Sequence, residues 1–330
     1  MRDCRRSRLA LLVGSVLVLG LPGCDKGQKR TLTEVEAPVE GVTMAYDLSP
    51  GQTYDGEIRM RNTIASPMGD VIQTIEFDVT VMASGVGTDD QRLMLATFDD
   101  IGFDLRLPDG IPPQAAGGLT PDLAAKLNGM EIRFQLDRYG RVSEMPEPPK
   151  NQPPEVQGII GLLSGALASS FVRLPNKPIK QGESWDATSE PEPGKEDLVQ
   201  SGRGTFKSLA RDAQRNEELA KLDLEGKTEG TIDANGKKVE ISSKQTAEVL
   251  FSLTAGFPAK VKRKRNAPAP GIGDVFTEVD AEWTKGERKA VEVEPVEQEI
   301  TDPCDPDYVG GDDCPDDDAE AAAPAAEESP

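Results

Sequence analysis

Strict alternation of apolar and polar residues is the main pattern along this chain. It occurs at residues 75–81 and 130–136, and Ile101, Phe103, Leu105 and Leu107 show the same period of two. Such a period places the apolar side chains on one face of a strand and the charged side chains on the other. The pattern predicts a mainly β protein of the α+β class, with antiparallel strands and one sheet face in water.

One segment has helical periodicity instead. From about residue 154 to residue 171, apolar residues recur every three or four positions, and small residues form the opposite face. This helix either packs into the sheet as core, lines a cavity for an apolar ligand, or enters a membrane; of these we expect the core. The stripe that we assign to core packing or ligand binding consists of Ile160, Leu163, Leu167 and Phe171.

A short pattern occurs twice, once before and once after this helix. Residues 48–55 and 179–186 share an apolar residue, a Gly, a Gln or Glu, a Thr or Ser, an aromatic residue and an Asp. A glycine turn before an aromatic residue that enters a strand explains the pattern without any binding site. The repeat predicts two related antiparallel β-rich halves, residues 41–150 and 174–290, around a central apolar helix at 151–173.

The N-terminus is typical of an exported lipoprotein. Four Arg residues occur within the first eight positions, an apolar stretch follows at 9–21, and the sequence Leu-Pro-Gly-Cys ends at Cys24. A basic head, about a dozen apolar residues and a small-residue end form a secretory signal. We therefore expect a signal peptide at 1–23, acylation of Cys24 with fatty acids such as palmitate, and a polar tether at 24–40. Ordinary secretion with an unmodified Cys24 is the alternative.

Charge is distributed unevenly along the chain. The formal net charge is −21, and residues 291–330 contain fifteen Asp or Glu and no Lys or Arg. This segment lacks apolar periodicity, which predicts a disordered acidic tail. The basic run at 260–265 is interpreted as the solvated end of a strand that discourages edge pairing, with contact to anionic lipid as the alternative. So acidic a chain is not expected to bind duplex nucleic acid.

The reactive residues restrict the chemistry. No histidine is present, which removes His general bases and Ser-His or Cys-His nucleophile pairs. Cys304 and Cys314 lie ten residues apart in an exported tail, where the oxidising environment favours a disulfide. We expect no cofactor and no metal, although a weak calcium alternative exists in the tail. Its carboxylates are Asp305, Asp307, Asp313 and Asp316.

Two segments resemble a known family. Residues 46–54, and the sequence Leu-Pro-Asn-Lys-Pro-Ile-Lys-Gln-Gly-Glu-Ser-Trp at 174–185, are similar to a family of uncharacterised bacterial lipoproteins. The resemblance covers about residues 41–290 and implies a duplicated β-rich domain in the cell envelope. It implies no activity.

These patterns lead to one functional expectation with two alternatives. We expect a non-enzymatic cell-envelope protein that is anchored by its N-terminal lipid to the cell membrane or the outer membrane and binds an apolar or envelope ligand. The first alternative is a structural or interaction lipoprotein without a small ligand. The second is a hydrolase that uses a pair of carboxylates.

Overall fold

A single antiparallel sheet dominates the computed structural model, which describes residues 31–65, 69–88, 90–110, 122–123, 126–143, 145, 153–188, 198–234, 237–269 and 273–291. The prediction of a mainly β, antiparallel fold is confirmed. One helix, α1 (Pro154–Ser169), lies between the strands of the described chain. The strands are β1 (Leu32–Val35), β2 (Thr53–Ile64), β3 (Val71–Gly87), β4 (Gln91–Arg106), β5 (Met130–Asp137), β6 (Val142–Ser143), β7 (Ser184–Asp186), β8 (Leu198–Asp212), β9 (Glu217–Ala234), β10 (Lys237–Ser252), β11 (Phe257–Ala269) and β12 (Gly273–Lys285).

In the sheet, β2 from the N-terminal part of the described chain pairs with β12 from its C-terminal part. The strand order runs β1-β8-β9-β10-β11-β12-β2-β3-β4-β5-β6, and β7 pairs with β8 beside this path. Most neighbours are connected by hairpins, but β12 and β2 are far apart in sequence. They pair from Lys285 opposite Tyr54 to Val275 opposite Ile64. The strands on both sides of α1 therefore belong to one sheet, while the predicted domain boundaries stay a prediction.

The predicted alternation gives the sheet a buried inner face and an exposed outer face. In β3, Ile75, Phe77 and Val79 are buried, while Glu76 and Asp78 between them are exposed. We call the side that packs around α1 the inner face. Its apolar residues form one core cluster that includes both α1 and strands from each side of it.

Aromatic contacts show that the sheet bends around its core. Phe171 lies 5.4 Å from Phe134 of β5 and 5.7 Å from Phe257 of β11, measured between ring centroids. These two strands are five positions apart in the sheet, which at about 4.8 Å per strand is roughly 24 Å in a flat sheet. One ring reaches both strands only because the sheet curves toward it. Phe171 thus occupies the centre of the concave side.

Helix α1 begins where the sequence predicted and ends earlier. Pro154 occupies its first turn, where the missing N–H has no helical partner to lose. Its end at Ser169 leaves Phe171 outside the helix, because the N–H of Phe171 bonds the carbonyl of Ala168 in a tighter, three-residue turn. The hydroxyl of Tyr46 then accepts the N–H of Val172 at 2.9 Å and directs the chain away from helical geometry.

The two copies of the sequence repeat have the same local structure. Gly51 and Gly182 both adopt positive φ angles, 79° and 85°, which glycine accepts without a steric penalty. The N–H of Gly51 bonds the carbonyl of Ala83, and the N–H of Gly182 bonds that of Phe206, each at 2.7 Å. Each turn starts a strand whose aromatic residue is buried. The shared residues thus have a structural explanation.

Candidate functional site

The inner face is covered over only part of its length. Near α1 its side chains are buried, but toward the β11–β12 and β2–β3 hairpins they become partly exposed. Strand register aligns one set of these side chains across five adjacent strands. We call this set the polar row. It consists of Gln245, Arg265, Thr277, Asn62 and Gln73, each paired with the next on β10, β11, β12, β2 and β3.

The polar row presents mainly hydrogen-bond donors. The hydroxyl of Thr277 donates to Oδ1 of Asn62 at 2.8 Å, so the amide N–H groups of Asn62 are left for other acceptors. Gln245 extends across Gly226, where an added Cβ would lie 2.5 Å from Nε2 of Gln245. Within the described residues, no hydrogen bond or ion pair is formed by the side chains of Gln245 and Arg265. The row is therefore suited to an acceptor-rich group.

A second arginine lies one row closer to α1. Arg263 is the only charged residue in a row that otherwise contains apolar side chains such as Ala247 and Val279. Its Nη2 donates to the carbonyl of Phe171 at 2.8 Å, just beyond the end of α1. Burial lowers the pKa of Arg263 to about 10, and the charge of Arg265 acts in the same direction. The guanidinium nevertheless keeps its proton at neutral pH.

Among the residues that the structure describes, no carboxylate balances these two arginines on their own side of the sheet. From the Arg263 row to the hairpins, the described inner positions of β8–β12, β2 and β3 contain no Asp or Glu. Their neighbours on the outer face are neutralised, because Lys264 pairs with Glu278 at 3.3 Å and Lys262 approaches Asp280 at 3.9 Å. The basic run at 260–265 is thus divided into paired outward lysines and inward arginines.

The interpretation of this basic run as protection of a sheet edge is wrong. Strand β11 lies between β10 and β12, so both of its sides are already hydrogen-bonded. The edges of the described sheet are the short strands β1, β6 and β7 instead. The sequence suggests an edge strand because it does not specify which strands pair with β11; that is known only from the strand order.

Apolar side chains flank the polar row on its far side. Val275, Ile64 and Val71 form the next row outward on β12, β2 and β3, and all three are partly exposed. The open part of the inner face therefore has a cationic, donor-rich band with apolar surface beside it. An amphipathic molecule with an anionic or acceptor-rich group matches such a surface.

The outer face has two depressions, and each contains its own countercharges. One, of about 270 Å³, includes Lys264, Glu278 and Phe276, and the lysine and glutamate pair with each other. The other, of about 240 Å³, includes Lys207 and Asp223, which are 3.4 Å apart. The first depression is also lined by Gln245, Arg265 and Thr277 of the polar row.

The stripe predicted from the sequence lies in the core. Leu163 and Leu167 are completely buried, and Ile160 and Phe171 are 8% and 3% exposed. The structure brings these four together around α1, about one side-chain layer below the arginines. Cys24, the Cys304–Cys314 pair and the calcium alternative at Asp305, Asp307, Asp313 and Asp316 lie outside the described residues.

The described residues include neither a membrane-spanning helix nor a cluster of metal ligands. Its only helix, α1, lacks the length and apolar character that would let a helix cross a bilayer. No cluster of three or more His, Cys, Asp or Glu side chains suited to a metal ion occurs among the described residues.

Comparisons with known proteins add evidence on structural similarity. No family model matches the chain, and no curated protein matches it. The chain is similar to lipovitellin, in a solved structure of lipid–protein interactions in lipovitellin, with a TM-score of 0.40 and 10% sequence identity. The match covers 74% of this chain and 26% of the lipovitellin chain, so this chain spans about a quarter of that length. So weak a similarity carries no functional argument.

Proposed function

We propose that this protein is a non-enzymatic lipoprotein of the cell envelope that binds an apolar or amphipathic envelope ligand. The ligand lies on the open part of the inner face, beside the polar row. The N-terminal lipid on Cys24 holds the protein at the cell membrane or the outer membrane. The resemblance to bacterial lipoproteins forms part of the same proposal.

The observation that supports this function is the incomplete cover over the inner face. A sheet with one apolar face normally buries that face against other elements of the same chain. Here the described helix covers only the rows nearest to it, and Ile64, Val71 and Val275 remain partly exposed around polar donors. A concave, partly apolar surface with a few placed polar groups is the usual form of a small-molecule site.

The absence of enzymatic activity is proposed on chemical grounds. The chain has no histidine, and the described residues of the open part of the inner face include no carboxylate for acid–base catalysis. The third interpretation, a carboxylate-based hydrolase, requires two carboxyl groups in one cleft. The acids beside Thr277 and Val279 on β12, Glu278 and Asp280, face the other side of the sheet beside lysines. Binding is therefore the simpler use of this surface.

The test is to identify what copurifies with the full-length lipoprotein from its native membranes. Native mass spectrometry in a mild detergent should detect a bound lipid or other amphipathic molecule. Thr277→Trp fills the open face with a large side chain, so that variant should lose the bound mass. Thr246→Trp is the control, because Thr246 lies on the exposed, opposite face of β10.

Two outcomes would contradict the proposal. A wild-type protein that carries no ligand after gentle extraction favours the alternative of a structural or interaction lipoprotein. Equal occupancy in wild-type protein and Thr277→Trp would place the ligand somewhere other than the inner face. Circular dichroism spectra of both Trp variants should match that of the wild type, because both substituted positions are at least partly exposed.

A further inference from the structure

We propose that Arg263 and Arg265 together bind an anionic group of the ligand, a phosphate or a carboxylate. This inference rests on the proposed function and specifies its ligand. It assigns a binding role to two residues that the sequence presents only as part of a basic run.

The two arginines have the spacing of a single anion site. Residues i and i+2 of one strand lie on the same face, about 7 Å apart along it. Arg265 is exposed, whereas Arg263 is partly buried beneath it beside the end of α1. A group that enters from the open side therefore meets Arg265 first and reaches Arg263 at greater depth.

The side chain of Arg263 is fixed by one hydrogen bond, and its other N–H donors remain for a ligand. One N–H, on Nη2, is occupied by the carbonyl of Phe171 at 2.8 Å. A guanidinium has five N–H donors, so four remain. Because the Phe171 carbonyl fixes the side chain, little rotational entropy is lost when a second acceptor binds. Arginine pairs with phosphate and carboxylate through two parallel hydrogen bonds, which a fixed guanidinium favours.

The charge distribution points to an anion rather than a neutral ligand. The whole chain has a net charge of −21, yet this part of the inner face has two positive charges and no described carboxylate. Like charges on one face repel each other and weaken folding unless an opposite charge joins them. On the outer face of β11, the same chain pairs its lysines with acids of β12. The inner arginines lack such a partner among the described residues.

The experiment compares two single-chain lipids that differ in charge. Full-length protein, freed of bound lipid in detergent, is titrated with lysophosphatidylglycerol, whose headgroup has one phosphate anion, and with the monoacylglycerol of the same chain length, which has none; the complexes are counted by native mass spectrometry. We expect the anionic lipid to bind about tenfold more tightly, as suits one charge-assisted contact. Arg265→Gln should remove this preference.

Lys264→Gln serves as the matched control. It removes the same charge from the adjacent residue, but Lys264 faces outward and pairs with Glu278. Its preference for the anionic lipid should therefore equal that of the wild type. Arg265→Lys should keep part of the preference, because lysine retains the charge and lacks the two-pronged geometry. Because Arg265 is exposed, these variants should fold as the wild type does.

The outcomes separate this inference from the proposed function. If both lipids bind equally and Arg265→Gln changes neither, the anion site is refuted while ligand binding stands. If inorganic phosphate alone binds with the same dependence on Arg265, the anion site stands and its natural occupant is a free anion rather than a lipid. If neither lipid nor phosphate binds, both proposals fail.

Discussion

Substitution of Leu163 by alanine tests how far the fold depends on α1. Leu163 is 0% exposed and belongs to the core cluster that joins strands on both sides of the helix. Loss of the transfer free energy of a buried Leu costs about 2 kcal/mol. The cavity left behind adds to this, so the free energy of unfolding should fall by about 2–5 kcal/mol. Leu163→Asp should prevent folding, because an unpaired carboxylate would lie in the core.

Guanidinium chloride denaturation followed by tryptophan fluorescence measures this loss. Trp283 is a suitable probe, because it is 2% exposed and its ring lies 6.1 Å from that of Phe171 at the end of α1. Gly161→Ala is the control on the same helix. Gly161 is exposed and an added Cβ would meet no described atom within 4 Å, so alanine should stabilise the protein by about 0.5–1 kcal/mol.

One pair of results would refute this reasoning. If Leu163→Ala costs less than about 1 kcal/mol, the usual core cost does not apply and α1 does not act as core. A small cost combined with a change in copurified lipid would assign the helix to the wall of a ligand cavity instead. A folded, monomeric Leu163→Asp variant with unchanged melting would exclude the core role outright.

Three further predictions concern other parts of the chain. Burial opposes ionisation of Asp47, but hydrogen bonds from Ser49 and Lys285 outweigh it and lower the pKa of Asp47. The stability that these bonds provide is therefore present at neutral pH and is lost as the pH falls below about 4. Asp47→Asn should weaken this acid dependence in denaturation curves. Cys24→Ser should move the protein from the membrane fraction to the soluble fraction; unchanged association without an acyl mass would contradict lipidation. Truncation after Ala290 should leave the melting temperature within a few degrees, because fifteen acids without a base do not build a core.

The sequence predicts local structure better than the site. Alternation identifies β3 and β5, since each strand's own residues reveal which face is buried. It misses the end of α1, because Tyr46, more than a hundred residues away, binds the backbone there. The polar row is invisible for the same reason. Thr277 and Asn62 become neighbours only through the pairing of β12 with β2, and no local pattern in either strand specifies that register.

The pairing of β12 with β2 also has a consequence for folding kinetics. The hydrogen bond between Thr277 and Asn62 joins residues that are 215 positions apart. Because synthesis begins at the N-terminus, β2 is made long before β12, its second neighbour in the sheet. Until then, β2 has an open edge above an uncovered apolar face, which favours aggregation. Contacts so distant in sequence slow folding, because loop closure comes before any gain from pairing. Of the strands that the structure describes, β12 is synthesised last, and its pairing with β2 completes the sheet. Nascent chains that stop before Lys285 should therefore need protection from aggregation.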